Sequence, residues 1–196
     1  MCPGQTKAFR PFGLGGDVTH SVQIAFLDVA YAPGAAGVAC LLADTWTTAT
    51  PTTEISGCLP CAPADYVPGQ FYKRELPLLR AVIGGLTSRP SMLVIDGYVW
   101  LGATEAPGLG AHLFEELHAE TPIVGVAKTR YRNDTWSERV YRGESRKPLY
   151  VTAAGVETAR AAALVASMHG KHRVPTLLKQ VDRLARAAAA QGCPRH

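Results

Sequence analysis

Two short runs of uninterrupted apolar residues, 92–95 and 123–127, constrain the fold of this chain more than any other feature. A strand that is apolar at every position is buried on both faces, so it belongs inside a sheet covered by helices on either side. Each run ends on a charge: Asp96-Gly97 closes the first and Lys128 the second. Such residues project from the carboxyl edge of a sheet, where the sites of α/β folds gather. Between the runs, the apolar spacing predicts a helix over 109–119 that leads through Pro122 into the second run.

Upstream, residues 22–31 are rich in β-forming side chains and read as a strand. After the turn signal Pro33-Gly34, residues 37–43 read as its neighbour, and a threonine-dominated third strand is expected around 45–55. Pro60, Pro63 and Pro68 exclude a regular element between Cys58 and Gly69 and make that stretch a shaped loop. Phe71, Leu76, Leu79, Val82, Ile83 and Leu86 then recur at helical spacing. A short strand at 149–152, an alanine-rich helix over 157–169 and a last helix over 176–189 complete the pattern. The expected fold is α/β, a mixed sheet combining an antiparallel three-strand meander with parallel strands, flanked by helices. At 196 residues this is one domain over 1–196, with 1–20 as an extended N-terminal segment.

A chain that is 47% hydrophobic and 18% charged is neither disordered nor a fibrous repeat. The stretch between Asp28 and Asp44 is nearly uncharged, but Pro33 and Gly34 break it short of the ~20 apolar residues of a membrane span. The first twenty residues carry Lys7 and Arg10 without the apolar core of a signal peptide. The expectation is a cytoplasmic protein, a monomer, with no membrane partner. Five cysteines are an odd number spread along the chain, and Cys58-x-x-Cys61 lacks a second ligand pair, so neither a disulfide framework nor a zinc site is expected. Between Lys128 and Lys147, seven Lys and Arg stand against three Asp and Glu, a surplus equal to the chain's whole formal charge of +4. With Tyr131, Trp136 and Tyr141 interleaved, the stretch suits a polyanion, although a solvated surface hairpin has the same composition.

Three carboxylates punctuate apolar segments: Asp28 within the first strand, Glu75 at the start of the first helix and Asp96. A buried acid is costly unless it is paired, hydrogen-bonded or bound to a cation. Each acid taken singly also reads as a turn residue or a surface group; three converging acids demand a cation. Oxygen-only ligation favours a hard ion, Mg²⁺ with Mn²⁺ as the alternative. Lys128 would stand beside such a cluster as a fixed charge for a phosphate or leaving oxygen, and otherwise reads as a surface lysine. His112 and His118 are six apart on a predicted helix, hence on different faces, and make no metal pair.

The segments Leu27-Asp28-Val29-Ala30-Tyr31, Asp65-Tyr66-Val67-Pro68-Gly69-Gln70-Phe71-Tyr72-Lys73-Arg74-Glu75, Val94-Ile95-Asp96-Gly97 and Pro122-Ile123-Val124-Gly125-Val126-Ala127-Lys128-Thr129-Arg130 resemble the endonuclease V family in order and spacing. Lys147-Pro148-Leu149-Tyr150-Val151-Thr152 is similar to a further family segment, and the likeness extends toward Pro175-Thr176 and Asp182. The resemblance implies a ribonuclease H-like fold and a Mg²⁺-dependent nuclease that nicks inosine-containing DNA or RNA in the repair of deaminated bases. Cleavage would fall at the second phosphodiester 3′ to the lesion, leaving a 3′-hydroxyl and a 5′-phosphate. By the same resemblance Asp28, Glu75 and Asp96 hold the metal and Lys128 assists at the scissile phosphate. Tyr66, with Val67 and Pro68, forms a strand-separating wedge, Pro68 and Gly69 fix the turn that presents it, and Gly69 and Gly97 belong with these to the substrate-binding set. Val99 and Gly102 stand where the family pattern has a second glycine and a histidine. These departures leave two alternatives, a nucleic-acid-binding relative with weakened catalysis and a nuclease of changed base specificity.

Overall fold

The computed structural model describes residues 23–60 and 72–193. Strand β1 (Ile24–Ala32) turns at Pro33-Gly34 into antiparallel β2 (Ala35–Ala43), which pairs with β3 (Thr53–Pro60), so the meander forms. Gly34 takes a φ of +75°, the conformation a tight hairpin turn requires and glycine adopts without steric cost. The third strand begins later than expected, because Thr52 bonds back to the Leu42 carbonyl through both its amide and its hydroxyl and closes a turn first. It also runs through Cys58 to Pro60, a stretch expected to be irregular; β3 is an edge strand, where a terminal proline disturbs no inner ladder.

Helix α1 (Tyr72–Ile83) is followed by β4 (Met92–Asp96), the small hairpin β5 (Trp100–Leu101) and β6 (Ala106–Pro107), and α2 (Leu109–Glu116). Then come β7 (Ile123–Ala127), β8 (Glu138–Val140), β9 (Leu149–Ala154), α3 (Thr158–Ser167) and α4 (Thr176–Gln191). The seven-stranded sheet has the order β3-β2-β1-β4-β7-β9-β8. Strands β1, β4 and β7 are mutually parallel, while β9 runs antiparallel to β7 and β8 to β9. Both apolar runs therefore lie inside the sheet, as their composition requires. The strands β5, β6 and β8 escaped sequence reading because two or three residues are too few to display a period.

Alternation along the parallel strands sorts side chains onto two cores. Ile24, Phe26, Val94, Val124 and Val126 pack with α3 and α4, whereas Ala25, Leu27, Leu93, Ile95 and Ile123 pack with α1 and α2. Continued by two residues, the same parity sends Asp28, Asp96 and Lys128 to the α4 side of the sheet. Helix α4 presents Leu177, Leu178, Val181, Ala185, Ala188 and Ala189 to that face at three- and four-residue spacing.

The docking of α4 is close. A Cβ at Gly37 of β2 would lie 2.1 Å from the Ala185 carbonyl oxygen and 2.4 Å from the Ala189 amide nitrogen, so only glycine fits. Gly37→Ala is expected to lift α4 and cost about 1–3 kcal/mol or more, read as a lowered midpoint in thermal or denaturant unfolding. A disulfide joins Cys58 of β3 to Cys193 just beyond α4, with Cα atoms 5.2 Å apart. The sequence reading expects no disulfide framework, and this bridge corrects it for Cys58; among the described residues Cys40 is a buried free thiol. Among the described residues no helix is long and apolar enough to cross a membrane.

Candidate metal centre

Three neighbouring parallel strands supply the site at the level where their pairing stops. Asp28 lies beyond the last β1–β4 pair, Asp96 is the final residue of β4, and Lys128 follows β7 directly. From across the cleft α4 contributes Asp182, next to Val181 in its buried stripe. Carboxylate oxygens of Asp28, Asp96 and Asp182 lie within 4.8 Å of one another. Lys128 Nζ stands 2.6 Å from Asp96 and 3.4 Å from Asp182. Arg186, one turn along α4, donates to both oxygens of Asp182, through Nε at 2.8 Å and Nη2 at 3.1 Å.

Glu75 approaches from α1, on the opposite face of the sheet, and is only 7% exposed. Burial, then repulsion from Asp28 and Asp96, pushes its pKa up to about 8. Burial and the neighbouring Asp96 likewise raise Asp28 to about 7, against a hydrogen bond from the Val29 amide. Asp182 is held below the usual carboxylate range, first by its bonds to Arg186. Burial works against the charge on Lys128, but the hydrogen bond to Asp96 and the surrounding carboxylates outweigh it and raise its pKa.

The three expected acids thus share one electrostatic environment, and Asp182 joins them. Sequence reading gave Asp182 no role because it sits in the polar stretch Lys179-Gln180-Val181-Asp182-Arg183, where nothing marks a charge as inward. Its signals are the family likeness that extends toward it and its place beside the stripe Leu178, Val181 and Ala185. Asp28, Asp96 and Asp182 form an oxygen-only donor set with Glu75 nearby, and although Lys128, Arg186 and Arg74 offset part of the repulsion, Asp28 and Glu75 are still pushed up, which suits a hard divalent ion.

The same imbalance has a pH signature. The folded chain binds more protons than the unfolded chain between the ordinary carboxylate range and about pH 7–8, because Asp28 and Glu75 are raised from 3.8 and 4.5. Stability contributed by these protons is present at low pH and lost as pH rises through that window. Melting in chelator is expected to give a Tm lower by on the order of 5 °C at pH 8.5 than at pH 5, with Mg²⁺ restoring much of the loss at pH 8.5. A Tm that rises with pH in chelator would contradict this electrostatic picture.

Beside the acids lies a cleft of about 410 Å³ between the outer half of β1 and α4, lined by Asp28, Tyr31, Asp96, Asp182, Arg186 and Ala189. Gly97 turns the chain away from Asp96 with a φ of +147°, a conformation reserved for glycine, and a Cβ there would meet open space. Val99 does not line this cleft. Its side chain is fully buried in the core with α2, its amide donates to Thr152 Oγ1 at 2.8 Å, and Gly110 makes room for it. Gly102 turns the β5–β6 hairpin at a φ of +64°. His112 stacks on Tyr72 with ring centroids 3.8 Å apart, and neither it nor His118 belongs to the acid group. Tyr66, Val67, Pro68 and Gly69, the expected wedge and its turn, lie outside the described residues.

The family model described as Endonuclease V matches residues 16–154. A curated Endonuclease V from Rhodospirillum centenum is 36% identical over 76 residues, which cover 39% of this chain and 30% of that protein. The chain therefore aligns with less than a third of that relative's length. Among solved structures, Endonuclease V from Bacillus subtilis superposes with a TM-score of 0.71 at 16% identity, covering 87% of this chain and 81% of that one. Endonuclease V from Ciona intestinalis, in complex with a 23-mer DNA containing an inosine followed by a ribo-adenosine, gives 0.67 at 17% identity and covers 89% and 88%. At these identities the structural likeness speaks to the fold.

Proposed function

The chain belongs to the endonuclease V family, and from that premise we propose that it is a metal-dependent endonuclease nicking inosine-containing DNA or RNA. Cleavage at the second phosphodiester 3′ to the lesion, leaving a 3′-hydroxyl and a 5′-phosphate, is part of the proposal. The observation that carries it is the convergence of the Asp28, Asp96 and Asp182 carboxylates within 4.8 Å at the level where the pairing of the parallel strands stops.

In this reading Asp28, Asp96 and Asp182 would hold the ion, with Glu75 closing the buried side of the cluster. A bound Mg²⁺ or Mn²⁺ would supply charge neutralisation at the phosphate and a more acidic water. Lys128, about two-fifths exposed and anchored between Asp96 and Asp182, presents a fixed ammonium to phosphate oxygens. Holding that charge in place before substrate arrives avoids reorganisation during the reaction. Gly97 leaves the floor beside Asp96 free of side-chain bulk, so a nucleotide backbone can approach closely. Tyr66, with Val67 and Pro68, would unstack the lesion so that the base can be read, on the turn that Pro68 and Gly69 fix. Val99 faces the core, so its presence in place of a glycine lends no support to a binding-only relative.

The test is a nicking assay on an oligonucleotide with a single inosine, in Mg²⁺, in Mn²⁺ and in chelator, beside the undamaged strand. Metal-dependent cleavage at the second bond 3′ to inosine is expected. Binding without cleavage in either metal would overturn the enzymatic reading.

A further inference from the structure

Three large hydrophobic side chains stand exposed among the described residues: Tyr131 at 41%, Trp136 at 47% and Tyr141 at 59%. All three fall in the basic stretch that begins at Lys128. We propose that Tyr131 and Trp136, framed by Arg130, Arg132 and Arg139, form a platform on which nucleobases of the strand passing the acid cluster stack. The proposal rests on the reading that the chain handles nucleic acid and adds to it a second contact surface.

Bare aromatic rings on a wandering loop would signify little, but these are held. Tyr98, two residues beyond Asp96, donates its hydroxyl to the Thr129 carbonyl and accepts from the Tyr131 amide, each at 3.0 Å. Its ring meets that of Tyr131 edge-on at 5.9 Å. Trp136 Nε1 donates to the Ala103 carbonyl at 3.2 Å and so ties the loop to the β5–β6 hairpin. Beneath them Asp134, 4% exposed, accepts from the amides of Trp136 and Ser137 at 3.1 Å, and Arg130 Nη2 donates to the Asp134 carbonyl at 2.7 Å. The loop is thus built around a buried acid, and its aromatic faces are fixed before any partner arrives. Preorganised, solvent-facing rings are what base stacking needs, since every base offers a π-face and ordering costs are already met.

Charge selects the occupant. Arg130, Arg132 and Arg139 are exposed, and none forms an ion pair with a carboxylate among the described residues. Unneutralised guanidinium groups interleaved with aromatic rings suit a phosphate backbone carrying bases. Position agrees, because the platform is continuous in chain with Lys128 and bonded to the residue two beyond Asp96. Gly102, where the family pattern has a histidine, lies in this hairpin: a Cβ there would come within 3.8 Å of the Tyr131 ring.

Binding of a fluorescent inosine-containing single strand, measured in chelator so that nothing is cleaved, tests the platform apart from the chemistry. Tyr131→Ala with Trp136→Ala is expected to weaken binding about 10- to 100-fold, while Tyr131→Phe with Trp136→Phe stays within about threefold. Arg132→Ala should reduce the slope of log affinity against log salt by about 0.7. The oligonucleotide should also quench tryptophan fluorescence in the native chain and lose most of that quench in Trp136→Phe, a readout that does not depend on the alanine variant folding. Unchanged affinity in a folded alanine variant, or a quench that survives Trp136→Phe, would overturn the platform. A native chain that nicks inosine while passing both of those negative results would lose the platform and keep the enzyme. A native chain that binds through these rings but never nicks would keep the platform and lose the enzyme. No affinity for any oligonucleotide would overturn the platform and leave the rings to a protein partner.

Discussion

Asp96→Asn is expected to abolish metal-dependent nicking of an inosine-containing strand, by about 10³-fold or more, while the chain stays folded. The magnitude corresponds to about 4 kcal/mol of lost transition-state stabilisation, the scale on which a metal ion acts at a phosphoryl centre. Asparagine keeps the shape of the side chain and removes its charge. The lost ion pair with Lys128 involves side chains 39% and 34% exposed, so its contribution to stability is small, about 0–1 kcal/mol. Against that loss, removing Asp96 relieves repulsion on both Asp28 and Glu75. The Tm in chelator should therefore hold or rise, and the pKa of Lys128 should fall as its main partner disappears. Full nicking activity in a folded Asp96→Asn chain would remove the metal-centre assignment.

Asp182→Asn is the sharper test of the tertiary structure, because α4 rather than the sheet delivers this group. Nicking is expected to drop by about 10²-fold or more, with Mn²⁺ affinity, followed by electron paramagnetic resonance, falling in parallel. Arg186 would lose its two-pronged partner on α4, and an i, i+4 pair of this exposure contributes only about 0.3–0.5 kcal/mol. A loss of activity without a loss of stability would therefore mark a functional group. Unchanged Mn²⁺ affinity and activity would mean that Asp182 serves Arg186 and Lys128 alone, and would return the site to the acids of β1, β4 and α1.

Much of the architecture was legible because its causes are local. The runs at 92–95 and 123–127 declared buried strands closed by Asp96 and Lys128, Pro33-Gly34 declared a hairpin, and Asp28 stood out as an acid within the first strand. The misplaced start of β3 also has a local cause, the turn closed by Thr52, but its threonine-rich sequence resembles strand and turn alike. The resemblance to a family carried further than the residues alone, since each acid in isolation reads equally well as a surface group.

By itself the sequence determined which residues alternate, which are buried and which end a strand, since side-chain period and hydrophobicity act over a few residues. Only the tertiary structure decided which distant groups meet. Asp182 joins the acids because α4 settles onto Gly37 at a separation only glycine permits. Cys58 pairs with Cys193 across 135 residues because the edge strand and the end of α4 arrive side by side. Val99 turns into the core because Gly110 leaves room for it. Each of these is a contact between segments remote in the chain, fixed by close packing of complementary shapes, and no local periodicity encodes it.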